Sequence, residues 1–399
     1  MALLEKVIRF AKDGTLLKRI PAKIRNEVGY HTRAWRYKNR PIIENRVFVM
    51  TYDNAYSCNP RYIVEEMRAQ NLPVDIVWAA PKSLADDRSS FPEGVRLVRR
   101  GTAEMYEAQA SAKIWLDNAL NCVWYNVPKK PEQVYINTWH GSMGIKKLGG
   151  PPDWMVRAAK ANAMTDAMVA NSAFEEEVYR TTFWPDVPVW QCGHARNDIL
   201  FHHEAFPAMR QKVAAALGLS SDTKWMLYAP TFRDDGDLAC FNIDYAALKT
   251  ALEARFGGEW AVLVRMHFKN RTGEADFTET DWLRDASGYP DMQELLCVVD
   301  AGITDYSSWA YDYVLTRRPL FLYTPDIDRY DQARGFYYPL EQTPFPMAQD
   351  NAALTAAVAA FDDASYQPAI DAFLQARGCY EQGDAAKQVV ARIKEILKL

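Results

Sequence analysis

No apolar run in this chain reaches the about 18–20 residues that a bilayer-crossing helix needs. No charged start followed by an apolar core of about 7–15 residues marks a signal peptide. Cysteine is sparse and scattered: Cys58, Cys122, Cys192, Cys240, Cys297 and Cys379 form no CxxC pair and no Cys/His zinc spacing. Cys122, Cys192 and Cys297 stand among apolar neighbours and read as buried thiols, which fits a reducing cytoplasm. Charge of one sign is lacking too. A net charge of −4 argues against a dedicated nucleic-acid binder. There is no solenoid-period repeat and no low-complexity tract. What remains is an ordinary globular composition, 49% hydrophobic and 25% charged, over 399 residues. That length suggests two domains of roughly 150–200 residues each.

The charge is unevenly spread. Residues 1–40 hold eleven Lys/Arg against three acids, a local +8, so the other 359 residues carry −12. Residues 1–20 read as a basic amphipathic helix that Pro21 ends, suited to an anionic membrane surface. Packing on its own domain, or a subunit contact, is the alternative. From residue 46 strands and helices alternate: strands at 47–53, 74–79, 94–98, 112–117, 133–138, 168–170 and 187–191, with helices between. A second series runs from Trp225 through strands at 225–229, 261–266, 298–303 and 320–323. Alternation of this kind implies parallel sheets covered on both faces, two doubly wound domains and a cleft between them. Residues 201–207 and 218–222 read as linker candidates. The divisions expected are 1–40, 41–205 and 206–384. A C-terminal helix at 385–399 follows, with packing against the first domain as one option.

Ligands of doubly wound sheets sit beyond the carboxyl ends of the strands. The polar clusters fall there. His140 follows the strand at 133–138, with Gly141 for close approach and Lys146 and Lys147 as cations; an imidazole there can act as a general base or simply cap a turn. Thr231 and Arg233 follow the first strand of the second series and aim into the same cleft, although Arg233 by itself reads as a surface ion pair with Asp234 or Asp235. Arg265 and His267 share one face of a strand end and suit an anion. Asp305, Ser307 and Ser308 open a helix whose free N–H groups and hydroxyls suit a phosphate. Glu294 lies in a capping-box pattern with Asp291, or accepts from a ribose. Residues 328–337 read as a polar-aromatic loop in which Arg334 completes a phosphate site or turns the chain.

TWHG with KKLG (138–149), ANS (170–172), GHARND (193–198), YAPTFRD (228–234), VRMH (264–267), YPDMQELL (289–296), ITDYSSWAYDY (303–313), RRPLFLY (317–323) and RGFYY (334–338) occur in that order. Together they resemble the CDP-glycerol glycerophosphotransferase family, the teichoic-acid polymerases and primases. The resemblance implies a GT-B fold with the nucleotide in the C-terminal domain. It implies transfer of a polyol phosphate from CDP-glycerol or CDP-ribitol to a lipid-linked or polymeric acceptor of a teichoic acid or capsule, with release of CMP. The family's catalytic histidine falls on His140 and its second histidine on His267, which with Arg265, Ser307 and Ser308 would hold the donor pyrophosphate. No cofactor or metal is implied. A peripheral place on the cytoplasmic face of the membrane follows from the lipid-linked acceptor, and oligomeric state stays open. Residues 193–198 read GHARND where Gly-x-Pro-Arg-x-Asp is usual. The competing readings are a nucleotide-sugar glycosyltransferase on the same fold and a non-catalytic nucleotide-binding partner of an envelope-assembly complex.

Overall fold

The computed structural model describes residues 22–399 apart from 53–54, 87, 125–126, 143, 149–151, 232, 234–238 and 267–276. The helix expected at 1–20 and His267 therefore lie outside the described residues. Within them the strands form two parallel sheets. The first contains β1 (Ile43–Met50), β2 (Asp75–Ala80), β3 (Val95–Arg99), β4 (Ala112–Asp117), β5 (Val134–Asn137), β6 (Ala167–Ala170) and β7 (Val189–Gln191). The second contains β8 (Lys224–Tyr228), β9 (Trp260–Val264), β10 (Leu283–Asp285), β11 (Ala301–Thr304), β12 (Leu320–Tyr323) and β13 (Met347–Ala348). Their orders are β3-β2-β1-β4-β5-β6-β7 and β10-β9-β8-β11-β12-β13. Each order reverses once beside its first strand, at β1/β4 and at β8/β11. Those reversals are the crevices where doubly wound sheets take ligands.

Alternation builds the first sheet's two faces. Phe48, Met50 and Trp115 pack into one apolar cluster, whereas Val47, Val49, Ile114 and Leu116 pack into another. The helices named below are α1 (Ala22–Tyr37), α2 (Cys58–Ala69), α3 (Pro152–Met164), α4 (Phe206–Leu217), α5 (Met292–Val298), α6 (Trp309–Tyr313), α7 (Ile327–Arg334), α8 (Asp363–Arg377) and α9 (Ala385–Leu397). Helix α9 returns to the first sheet: Val389, Val390 and Ile393 join Val47, Val49 and Ile63 in one cluster. Asp198 fixes the start of α9 by accepting from Ala385 N at 2.8 Å and Ala386 N at 2.7 Å. Burial raises the Asp198 carboxyl to about 6, against those two bonds.

Two departures from the sequence reading have physical causes. The expected linker at 201–207 contains the start of α4, because Pro207 suits the first turn of a helix and Val213 and Ala214 then bury on the second sheet's core. The expected loop at 328–337 is helix α7 up to Arg334, stopped by Gly335 at φ +73°. Helix α8 carries Pro368 inside it yet persists, with Ile370 and Phe373 buried against the second core.

Candidate active site

His140 stands beyond the carboxyl edge of β5, beside the β1/β4 reversal. Register brings the three strand ends together: Met50 pairs with Asp117, and Asp117 with Asn137. Tyr52 follows β1 and stacks on the His140 ring at 4.1 Å, and the Trp139 ring centroid lies 4.5 Å from that of His140. The His140 Nδ1 lies 2.6 Å from the Asn118 carbonyl oxygen just after β4. A carbonyl only accepts, so Nδ1 carries the hydrogen and Nε2 keeps its lone pair. Burial lowers the His140 pKa to about 4; the Asn118 bond opposes this and the Arg196 charge adds to it. The ring is therefore neutral at physiological pH, with Nε2 ready to take a proton.

The loop around His140 is held under strain. Trp139 adopts φ +50°, a left-handed conformation that costs about 1–3 kcal/mol in a non-glycine residue. Asn137 Oδ1 accepts from Trp139 N at 2.9 Å, and Asn59 of α2 donates to the Thr138 and Trp139 carbonyls at 3.0 and 3.2 Å. Arg196, on the turn after β7, donates to the His140 carbonyl at 2.7 Å and the Gly141 carbonyl at 3.0 Å. Its fork also meets Asp312 of α6, with Nε to Oδ2 at 3.1 Å and Nη2 to Oδ1 at 3.2 Å. Ser142 Oγ donates to the same carboxylate. Burial would raise the Asp312 pKa, but Arg196 and the Ser142 bond hold it below the usual range. Further along, Ile145 O accepts from Tyr337 N at 2.8 Å, Lys147 N donates to Gly335 O at 3.0 Å, and Lys146 and Phe336 form an antiparallel bridge. The loop at 140–148 is thus fastened to the second half at two places. A Cβ on Gly144 would lie 3.6 Å from Ser308 Cβ, so the imidazole's loop and the Ser307–Ser308 helix start adjoin.

On the second half, Thr231 and Asp305 flank the β8/β11 reversal. Asp305 accepts from Thr231 N at 2.9 Å and from Arg233 Nη1 at 2.9 Å. Arg233 also pairs with Asp326 at 2.7 Å and lies over the Tyr306 and Tyr330 rings. Its guanidinium is thereby committed to shaping the loops after β8, β11 and β12. The Thr231 hydroxyl is buried without a hydrogen-bond partner among the described residues. Ser307 and Ser308 are partly exposed. The helix they open is shorter than the sequence suggests. Helix α6 has five residues and passes into a 3-10 turn that ends at Arg317 in the left-handed region, ahead of Pro319. An anion there would meet first-turn amides and hydroxyls more than a long helix dipole.

The other expected residues have partners of their own within the protein. Arg265 donates to the Ala286 and Tyr289 carbonyls at 3.0 and 2.5 Å. Glu294 accepts from Lys212 at 2.7 Å, from Arg61 of α2 at 3.2 Å and from the Tyr289 hydroxyl. Asp291 caps α5 through Gln293 N at 2.7 Å and also receives Arg61. Both Glu294 oxygens are occupied, so its carboxylate joins the two halves instead of facing a ribose. Arg334 is exposed at the end of α7. Among the described residues no group of three or more His, Cys, Asp or Glu is placed to hold a metal ion. Sequence reasoning did not single out Tyr52, Asn59, Asn118 or Arg196. The only signal was that Arg196 sits inside GHARND.

The sequence model described as CDP-Glycerol:Poly(glycerophosphate) glycerophosphotransferase matches residues 34–395. A teichoic acid poly(glycerol phosphate) polymerase of Bacillus spizizenii is 31% identical over 372 residues, 87% of this chain and 91% of that protein. One of the same name from Staphylococcus epidermidis is 29% identical over 361 residues, 86% of this chain; the chain spans only 49% of that protein's length. The solved structure of the wall teichoic acid polymerase TagF superposes with a TM-score of 0.81 at 27% identity, covering 99% of this chain and 98% of that one. A variant of TagF soaked with CDPG gives a TM-score of 0.80 at 26% identity, with the same coverage.

Proposed function

The chain belongs to the CDP-glycerol:poly(glycerophosphate) glycerophosphotransferase family, and from that premise we propose that it moves glycerol phosphate from CDP-glycerol to an acceptor hydroxyl of a growing teichoic acid, releasing CMP. The observation that carries this reading is the His140 tautomer: Nδ1–H is engaged by the Asn118 carbonyl and Nε2 is left to accept, on a loop that adjoins Ser308. The acceptor hydroxyl attacks the phosphorus that bears glycerol. Its proton passes to His140 Nε2. The bond from that phosphorus to the bridging oxygen breaks, and the electron pair leaves with CMP. Positioning and charge neutralisation dominate such transfers. Ser307, Ser308 and the amides of the α6 start take the donor phosphates, with the Thr231 hydroxyl, which has no partner among the described residues, beside the same crevice. His267 completes the phosphate site by the family resemblance. Glycerol, not ribitol, is the polyol assigned, because the two curated relatives above are glycerol-phosphate enzymes by name.

Peripheral attachment to the cytoplasmic face of the membrane belongs to the same proposal. Val28 and Trp35, seven residues apart on one face of α1, are 59% and 75% exposed, and Val156 of α3 is 71% exposed. Lys160, one turn from Val156, lies 4.4 Å from the Tyr30 ring and joins the two helices. Apolar tips among basic residues fit a surface of anionic lipid.

The deciding experiment follows CMP release from CDP-glycerol and from CDP-ribitol with a lipid-linked acceptor. The reading expects CMP from CDP-glycerol, and a loss of about 10²–10⁴-fold in His140→Ala with nucleotide binding kept. Wild-type turnover in that variant would remove the base assignment. Release of a nucleoside diphosphate from a nucleotide sugar, with CDP-polyols inert, would remove the whole reading.

A further inference from the structure

We propose that Arg196 is the positioning residue of this active site: it holds the His140 loop in its working shape and, through Asp312, makes that shape depend on the other half of the molecule. The inference rests on His140 acting as the base. Arg196 is 4% exposed, and its acceptors are specific. It donates to two consecutive carbonyls, His140 and Gly141, directly after the imidazole-bearing α-carbon. The preceding residue, Trp139, is in the left-handed conformation, so those carbonyls point where the fork can reach them only while the strained turn is kept. Asn59 braces the same turn from below and accepts from Arg196 N at 3.1 Å.

The far side of the fork crosses the molecule. Asp312 lies one turn into the helix that Ser308 opens, and it meets Arg196 in a two-pronged pair. Ser142 Oγ, on the His140 loop itself, bonds to both Arg196 and Asp312. Gln293 of α5 and Asn197 close the remaining carboxylate positions at 3.0 and 3.1 Å. A fork of this kind has one geometry that satisfies it. If the halves part, Asp312 leaves and the guanidinium loses the partner that aims it at the two carbonyls. The base is then in place only when the phosphate-binding helix start is in place. That arrangement keeps Nε2 from working on water while the donor half is away.

The test compares Arg196→Lys, Asp312→Asn and the double variant. Lysine keeps the charge and loses the fork. Misplacement by about 1 Å lowers catalysis by about 10²-fold, so each single variant should lose about that much in kcat with KM for CDP-glycerol within about threefold. The double variant should lose little more than the worse single, because both break one bracket. A second readout does not depend on turnover: the ¹⁵N signals of the His140 imidazole, assigned with His140→Gln, should move in Asp312→Asn. Wild-type kcat in either single variant, losses that multiply, a raised KM with kcat kept, or unmoved imidazole signals would each overturn the inference. If a variant melts below the assay temperature, Ser142→Ala removes only the bridging hydroxyl and takes its place. It should lower kcat with KM kept, and unchanged kcat with unmoved signals would overturn the inference. Absence of CMP release from the wild type would instead sink the functional reading, and the imidazole signals would still decide the coupling.

Discussion

The neutral, half-buried His140 makes a prediction about acid. An ordinary histidine, with a pKa of about 6.5, would be only about 10% neutral at pH 5.5. His140 is lowered to about 4, so at pH 5.5 it stays almost wholly in the form that can take a proton. The two cases differ about tenfold in active enzyme at that pH. The assay is kcat/KM for CDP-glycerol between pH 4.5 and 8, which reports the free enzyme's groups. It should hold nearly level down to about pH 5.5 before it falls. In the bound complex the donor pyrophosphate brings negative charge near the ring, and an opposite charge favours the imidazolium. The acid limb of kcat should therefore lie above that of kcat/KM. An acid limb of kcat/KM at pH 6.5, absent from a circular-dichroism check of folding at the same pH, would refute the burial argument.

Other consequences are as direct. Burial raises Glu381 to about 7, against the His194 and Asn197 contacts. The folded state therefore binds that proton more tightly than the unfolded state does. This contribution to stability is fully present below about pH 4.5 and is lost as pH rises through about 7, by about 3 kcal/mol in all. Urea denaturation at pH 5 and pH 8 should show Glu381→Gln gaining on the wild type at the higher pH. An unchanged difference between the two pH values would count against it. Glu294→Gln weakens the Arg61–Glu294 pair between the halves and the Lys212–Glu294 pair beside it, so its denaturation midpoint should fall while KM for CDP-glycerol stays within about twofold; a large KM rise alone would return Glu294 to the ribose. Trp35→Glu should reduce cosedimentation with phosphatidylglycerol vesicles and leave turnover of a soluble acceptor analogue unchanged, and wild-type sedimentation would dismiss the α1 surface. Turnover should survive EDTA, since the proposed steps use no metal, and a reversible loss on chelation would contradict them.

Much of the fold was readable because its strands are local and periodic. β4 and β12 fall where the apolar pattern puts them, and α3 fills one of the helical intervals between strands. The edge strands β10 and β13 are two or three residues long, too short to show a period. His140 was legible as a histidine beyond a strand end. Its partners were not, because Tyr52, Asn118 and Arg196 come from three other strand ends, and only the sheet order brings those together. Arg233 and Glu294 show the converse. Each had a ligand reading beside a local one, a nearby ion pair for Arg233 and a helix cap for Glu294, and each is answered instead by a charge far away in sequence, Asp326 for one and Arg61 for the other. A charge read along the chain does not announce its partner.

The polar character of the seam between the halves has a physical reason. Apolar contact is non-directional and tolerates sliding. The seam instead carries Arg61 on Asp291 and Glu294, Arg196 on Asp312, and the antiparallel bridge of Lys146 with Phe336. Buried ion pairs of this kind add little net stability, since desolvation offsets their attraction. They do impose one geometry, because a fork or a backbone bridge is satisfied in a single register. The proposed reaction needs that register: on that reading a base from one sheet's edge meets a phosphate held at the other's. A seam of leucines would hold the halves together as firmly and leave His140 free to drift from Ser308. On the proposed mechanism the charged forks therefore belong to the catalytic design even though none of them touches the reacting atoms.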